Sequence, residues 1–436
     1  MRRRAIAVVM LGAVALAACS PGGASDSTGA SDGSGPREAV QDLERPSSVS
    51  EAAWTWEAPE GVGALGGLFP VPGGVAAVMD DGAIALSGEN GGVMWEHRFP
   101  DTRAFGAVSG QGQYFTLQLM DTEDDEARPR MLVIDASTGE TVHDYRLEDE
   151  ESSGHVVRGW LANVTDEHWI TVEGEQELVA HRLGTDETAW SVPDVAACNG
   201  VGSVDRAVVT DGTLVAAFTC YDQPEGETSV EMTEGQEFVS GYSGFDPATG
   251  EELWRTEATA GMFAADAHER TLTVHASGVV TAYHPYGRIG HVVDQATGEV
   301  VTVDEGDVVW TEEDGSLRGV WTDRTHAYRI EGPDGQEQRR LGTDEIGIAE
   351  SFANALQGDD APVALEDGVL LPADLIPRGE NEAEAAVFQG FDGAVPITLA
   401  SARETNLEFD DAVLAPGTVA VSYISHSGQG VVIGLH

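Results

Sequence analysis

Lysine is absent from this 436-residue chain: all 23 basic side chains are arginine, set against 75 aspartates and glutamates. The formal net charge of −52 repels phosphate backbones, which rules against nucleic-acid binding through a basic surface. Without lysine there is also no G-x-x-x-x-G-K-[ST] phosphate cradle. Three cysteines, Cys19, Cys198 and Cys220, are too few for a disulfide-knotted scaffold. No apolar run approaches the roughly 20 residues that a membrane-spanning helix needs, so a polytopic membrane protein is excluded. H-E-x-x-H, Cys-His zinc spacing and a G-x-S-x-G nucleophile turn are missing as well. What remains is an acidic, glycine-rich chain, with 53 glycines, long enough for two or three ordinary domains or one large closed all-β domain.

The N-terminus carries the most specific local signal. Arg2, Arg3 and Arg4 precede an apolar stretch from Ala5 to Ala15, then Leu16, Ala17, Ala18 and Cys19. A basic start, a short apolar centre and small residues before a cut form an export signal. Leu16-Ala17-Ala18-Cys19 resembles the bacterial lipobox, which implies cleavage after residue 18, diacylglycerol on the Cys19 thiol and an acylated (palmitate-type) amine. Two or three acyl chains anchor stably where one is marginal. Residues 19–51 hold Ser, Gly, Asp, Ala and Pro with almost no large apolar side chain, and are expected to be a disordered tether spanning roughly 30 Å. The expected location is therefore the outer face of the cell membrane, the mature chain being held there by its N-terminal lipid.

From Ala52 to the end, short alternating apolar stretches are separated by Gly, Asp, Asn and Pro, the pattern of an all-β protein. A repeat runs through them. Its clearest copies centre on Asp135-Ala136-Ser137-Thr138-Gly139, Asp246-Pro247-Ala248-Thr249-Gly250 and Asp294-Gln295-Ala296-Thr297-Gly298. Each follows an apolar strand and is followed by another. The Asp carboxylate can accept backbone N–H bonds inside the turn, and Gly supplies the positive φ that closes it. This is hairpin chemistry rather than catalysis. Degenerate copies surround Gly91, Asp186, Gly335 and Gly393, and in three copies a tryptophan (Trp95, Trp190, Trp254) falls four residues past the turn. Packing of an outer strand on the neighbouring unit is the expected role of these tryptophans.

The seven turns recur about every 50 residues, the length of a four-stranded propeller blade. An eighth unit is split between the ends, residues 53–57 supplying one strand and residues 430–435 another. Their pairing would close the ring and bury open sheet edges. The expectation is an eight-bladed β-propeller over 52–436, closed by its terminal strands, with seven blades as the alternative.

These turns resemble the pyrroloquinoline-quinone-like (PQQ-like) repeat propellers. That group includes quinoprotein alcohol dehydrogenases and non-enzymatic lipoproteins, among them the scaffold subunit of the machinery that inserts outer-membrane β-barrels. The dehydrogenases typically stack an adjacent Cys-Cys disulfide on the quinone and hold Ca²⁺ with carboxylate and amide groups. No Cys-Cys pair occurs in this chain. The acidic runs 123–126 and 148–151 follow no EF-hand pattern and read as solvated loops. Cys198 and Cys220 are expected to form a disulfide in an oxidising compartment, with two free thiols as the alternative.

No cofactor, metal site or catalytic residue is expected. The leading reading is a monomeric, lipid-anchored, extracytoplasmic propeller, not an enzyme, that binds a protein partner at the cell envelope. The alternative is a small-ligand receptor or a degenerate quinoprotein-like propeller.

Overall fold

Small and β-branched apolar residues broken by Gly and Asp favour antiparallel sheets joined by tight turns. A computed structural model of the protein contains 31 strands and no helix among its described residues. Those residues lie between 43 and 436. The longest stretches outside them are 122–129, 147–162, 222–237, 259–270, 343–362 and 400–406. The chain divides into two units, Met1–Ala39 and Val40–His436, and the described residues all belong to the second. The expected signal peptide, Cys19, most of the tether, both acidic runs and Cys198 lie outside the described residues.

Strand β1 (Ala52–Glu57) belongs with the last strands of the chain. The first sheet pairs β2 (Leu65–Val71), β3 (Gly74–Met79), β4 (Gly82–Ser87) and β5 (Val93–Arg98) in that order. A second holds β6 (Thr102–Val108), β7 (Tyr114–Asp121), β8 (Arg130–Asp135) and β9 (Thr141–Arg146). The third has three strands, β10 (His168–Glu173), β11 (Glu177–Arg182) and β12 (Thr188–Val192). The fourth consists of β13 (Val201–Val209), β14 (Leu214–Tyr221), β15 (Phe238–Phe245) and β16 (Glu252–Ala258). In the fifth are β17 (Thr271–Val274), β18 (Val279–Tyr283), β19 (Ile289–Asp294) and β20 (Val300–Asp304). The sixth comprises β21 (Val308–Thr311), β22 (Leu317–Asp323), β23 (His326–Glu331) and β24 (Gln336–Gly342).

The remaining strands are β25 (Val363–Leu365), β26 (Gly368–Pro377), β27 (Ala383–Gly390), β28 (Gly393–Leu399), β29 (Leu407–Ala415), β30 (Thr418–Ser425) and β31 (Gly430–Leu435). With β1 they form one eight-stranded sheet. Its halves, β25 to β28 and β29-β30-β31-β1, meet at a single residue pair, Leu375 opposite Leu407. Trp54 pairs with Gly434 and Trp56 with Val432, so the first strand lies antiparallel on the last.

Neighbouring sheets share apolar cores, as expected of sheets stacked face to face. Leu65, Val75 and Leu86 of the first sheet pack with Trp54, Ala420 and Val432 of the terminal one. Ala76 and Ala85 meet Phe115, Leu117 and Ile134 of the second. Met131 and Val133 meet Trp169 of the third, Ile170 and Ala180 meet Ala216 of the fourth, and Ala217 and Tyr242 meet Val280 and Val293 of the fifth. Strand β21 approaches both β18 and β25, and Leu365 and Ile397 share a core with Val421 and Ile433.

Because every pairing is antiparallel, connections fall at two ends. Among the described residues one end carries tight turns, including 72–73, 88–92, 136–140, 246–251, 295–299 and 416–417. The long connections 222–237, 259–270 and 343–362 join strands at the other.

The folded body also begins earlier than expected. Residues 43–51, assigned from composition to the tether, are tied to the tight-turn end. The Glu44 carbonyl accepts from Gly417 N at 2.8 Å and the Ser47 carbonyl from Asp367 N at 2.9 Å. Ser50 N and Glu51 N donate to the His436 carbonyl at 2.6 and 2.9 Å, and Val49 is 2 % exposed. One buried valine and a set of backbone bonds outweigh a composition that otherwise reads as disordered. Residues 43–51 therefore belong with the sheets rather than with the expected tether.

Candidate functional site

The repeated turn is the most constructed feature of the surface. In Asp135–Gly139, Asp135 Oδ1 accepts from Ser137 N at 3.0 Å, Thr138 N at 2.8 Å and Ser137 Oγ at 2.7 Å. Burial alone would raise the Asp135 pKa, but these hydrogen bonds together hold it below the ordinary Asp value. Asp246 Oδ1 accepts from Ala248 N, and Asp294 Oδ1 from Ala296 N and Thr297 N. Gly139, Gly250 and Gly298 have φ of 71°, 74° and 71°, the left-handed region that glycine enters without steric cost. Each donates its N–H to the carbonyl of its turn aspartate at 2.8 Å.

The tryptophans connect these turns across sheets. Trp95 Nε1 donates to the Ala136 carbonyl at 2.8 Å, Trp190 to Pro247 at 3.2 Å and Trp254 to Gln295 at 2.7 Å. Trp54 does the same to Gly88 at 3.0 Å. In all four cases the acceptor lies three residues before the glycine of the next sheet's turn, Gly139, Gly250, Gly298 or Gly91. A Cβ on that glycine would fall 2.3 to 2.7 Å from the indole side chain. Directly across its own sheet each ring faces a small residue: Ala85, Ala180, Gly244 and Gly434. A second anchor accompanies two of them, His97 Nε2 lying 2.9 Å from the Gly139 carbonyl and Thr256 Oγ1 donating to Gly298 at 2.7 Å. Counting tryptophans after a turn misses Trp54, because its strand follows no turn; it follows the chain ends.

Other polar groups bond between strands and between sheets. Asp411 Oδ2 on β29 accepts from Leu68 N on β2 at 2.9 Å, and burial raises its pKa despite that bond. Burial likewise raises the neighbouring Asp410, which accepts from Ser422 Oγ at 3.1 Å. Tyr114 donates to Asp166 Oδ1 at 2.8 Å, and burial followed by that bond pushes the phenol up to about 12. Tyr242 OH lies 2.7 Å from His291 Nδ1 between the fourth and fifth sheets. His168 is buried at the start of β10; His275 and His284 lie outside the described residues. Cys220 is disulfide-bonded, and its Sγ lies 3.7 Å from the Ala196 carbonyl. Arg255 holds the same loop, donating to the carbonyls of Val195 at 2.7 Å and Ala196 at 3.0 Å.

A quinone site of the dehydrogenase kind does not fit these residues. The sequence has no adjacent cysteine pair, and Cys220 is already committed to a disulfide. Among the described residues no three His, Cys, Asp or Glu side chains are grouped to share a cation.

Successive four-stranded sheets sharing face-to-face cores define an all-β repeat protein of the propeller type. A family model described as "Outer membrane protein assembly factor BamB" matches residues 38–339, more than half the chain. The chain belongs to this PQQ-like repeat family. No curated protein matches it. Similar solved structures include Kluyveromyces lactis Hsv2, 10% identical over 77% of this chain and 97% of that one, TM-score 0.41. The β-propeller domain of Myceliophteria thermophila Cps50 (Swd1) is 11% identical over 87% and 100%, TM-score 0.42. The computationally designed Ika8 protein is 12% identical over 88% and 99%, TM-score 0.42. All three scores are low, and the fold rests on the chain's own sheets and on the family match.

Proposed function

We propose that this chain is a lipid-anchored, extracytoplasmic propeller of eight blades, closed by β1 on β31, that binds a protein partner at the cell envelope and catalyses no reaction. The family match carries the reading: it extends across the sheets from β1 to β24, and the family's description names an assembly factor, a protein that handles other proteins. The eight blades are the first six sheets and the two halves of the eight-stranded one. Cys19 bears the lipid, and Cys198 is the partner of Cys220. The body is a monomer that holds its partner by surface rather than by a reacting group.

Crosslinking in the native envelope, followed by purification of the propeller, tests this. A protein recovered in stoichiometric amount supports the scaffold. Stabilisation by a small ligand with no such protein recovered favours the receptor instead. Labelling with radioactive palmitate that persists in Cys19→Ser overturns the anchor.

A further inference from the structure

We propose that Asn90 is a site of self-modification: it cyclises onto Gly91 and opens to isoaspartate and aspartate, loosening the turn on which Trp54 is docked.

The turn between β4 and β5 follows the plan of the other motif turns with one exchange of residue. In the turns of Asp135, Asp246 and Asp294 the residue before the glycine is threonine. Oγ1 of Thr138, Thr249 and Thr297 accepts from the backbone N–H two positions on, at 3.2, 3.3 and 3.3 Å. Asn90 takes that place in the first sheet, and its Oδ1 accepts from Gly92 N at 2.9 Å. Either side chain serves the turn. The asparagine alone carries a carbonyl carbon bonded to a group that can leave.

The bond from Gly92 folds the side chain back over the peptide between residues 90 and 91, so Cγ is turned toward Gly91 N. That nitrogen is fixed in its turn by donating to the Ser87 carbonyl at 2.8 Å, and at φ 69° its residue has no side chain to shield it. Groups held together in this way react as though at high concentration. The Gly92 N–H lies on the oxygen where negative charge gathers during attack. Asn90 and Gly92 are exposed, so hydroxide and water reach the pair. Hydroxide removes the Gly91 amide proton, the nitrogen bonds to Asn90 Cγ, and the Cγ–Nδ2 bond breaks, the nitrogen leaving as ammonia with a proton from water. Water then opens the succinimide at Cγ to give aspartate, or at the backbone carbonyl to give isoaspartate. Asn163 has neither feature, being 0% exposed and followed by Val164. The other Asn-Gly pair, Asn199-Gly200, lies outside the described residues.

Isoaspartate lengthens the main chain by one methylene where there is no room for it. A Cβ on Gly91 would already fall 2.7 Å from Trp54 Cε3, and the Gly88 carbonyl of the same turn lies 3.0 Å from both Trp54 Nε1 and His436 Nε2. Trp54 is on β1, which pairs with β31, so a displaced turn is felt at the seam.

The test incubates the folded full chain in mildly alkaline buffer and follows position 90 by peptide mapping and mass spectrometry. Isoaspartate and aspartate are expected to accumulate together, several-fold faster than at Asn163 and no slower than at position 90 of the chain unfolded in urea. In the aged protein the Ala58 amide, which donates to the Gly430 carbonyl at 2.9 Å beside the seam, should exchange with solvent several-fold faster than in fresh protein. An Asn90→Thr chain, which restores the residue of the other turns, should age without that change. Conversion of Asn90 in the unfolded chain alone, or to aspartate without isoaspartate, overturns cyclisation in the turn. Isoaspartate at position 90 with Ala58 exchange unaltered overturns its effect on the seam.

Discussion

A tryptophan at the start of an outer strand can bury its ring between two sheets only where a small residue lies on either side. Trp95 has Ala85 across its own sheet and Gly139 in the next turn, and Trp254 has Gly244 and Gly298. Trp95 is 6% exposed, so Trp95→Ala is expected to cost about 3–5 kcal/mol in urea denaturation. Trp95→Phe retains much of the packing but leaves the Ala136 carbonyl without its donor, a loss of about 1 kcal/mol. Gly139→Ala meets both a positive φ and the ring, and should unfold at lower denaturant than wild type. The carboxylates make opposite predictions with pH. Asp135 has a lowered pKa when folded, so its contribution is present above the ordinary Asp value and is lost as pH falls through the lowered one. Asp411 has a raised pKa, so its burial penalty is full at neutral pH and is relieved as pH falls through the raised value to the ordinary one. Stability measured between pH 7 and about pH 4 should show Asp411→Asn losing any advantage over wild type as the solution is acidified. A constant difference across that range would remove Asp411 as the titrating group.

At the scale of elements, the segment 43–51 acts as a strap across the tight-turn end. Val49→Asp places a charge in the core it shares with Leu365, Val421 and Ile433. The amides of Asp367 and Gly417, whose acceptors are strap carbonyls, should then exchange with solvent faster, while the Gly139 amide, bonded within its own turn, should not. Exchange that stays slow at all three would show that the strap does not depend on Val49. Reduction of the Cys220 disulfide, if its partner is Cys198, opens a loop whose closure is worth about 3 kcal/mol by chain entropy. The hairpins of this molecule were legible in sequence because their chemistry is local: Asp, two spacers, Thr and Gly specify a turn wherever they occur. The strap was not legible, since Val49 lies among Ser, Pro and Glu and its fixing bonds come from residues more than 300 positions away. Asp411 was hidden for the same reason, because its acceptor role depends on β29 lying beside β2.

For the whole molecule, periodicity near 50 residues gave the sheets and their order, and the split unit at the two ends pointed to the pairing of β1 with β31. At four junctions the outer strand of one sheet docks its tryptophan on the turn of the next, beginning with Trp54 at the seam. Four outer strands carry this tryptophan; β20, β24 and β28 have Thr302, Arg339 and Ile397 in its place, and the second sheet has His143, opposite Val133 rather than a glycine or alanine. There Trp169 of the third sheet packs against Met131 and Val133. An aromatic supplied by the receiving sheet replaces one supplied by the donor, which spacing along the sequence had no means of revealing. The partner binding proposed above belongs to this scale too, because it would engage blade ends rather than a few side chains.

A closed ring depends on the seam between the first and last strands, where Glu57 is paired with Val431. A Glu57→Cys, Val431→Cys chain exposed to mild oxidant, with the crosslink mapped by mass spectrometry, tests it most directly. A closed ring predicts an intramolecular 57–431 disulfide in nearly every molecule and a higher thermal midpoint than in the reduced form. Two thiols that remain free to alkylate under native conditions, or a crosslink found only between molecules, would contradict it.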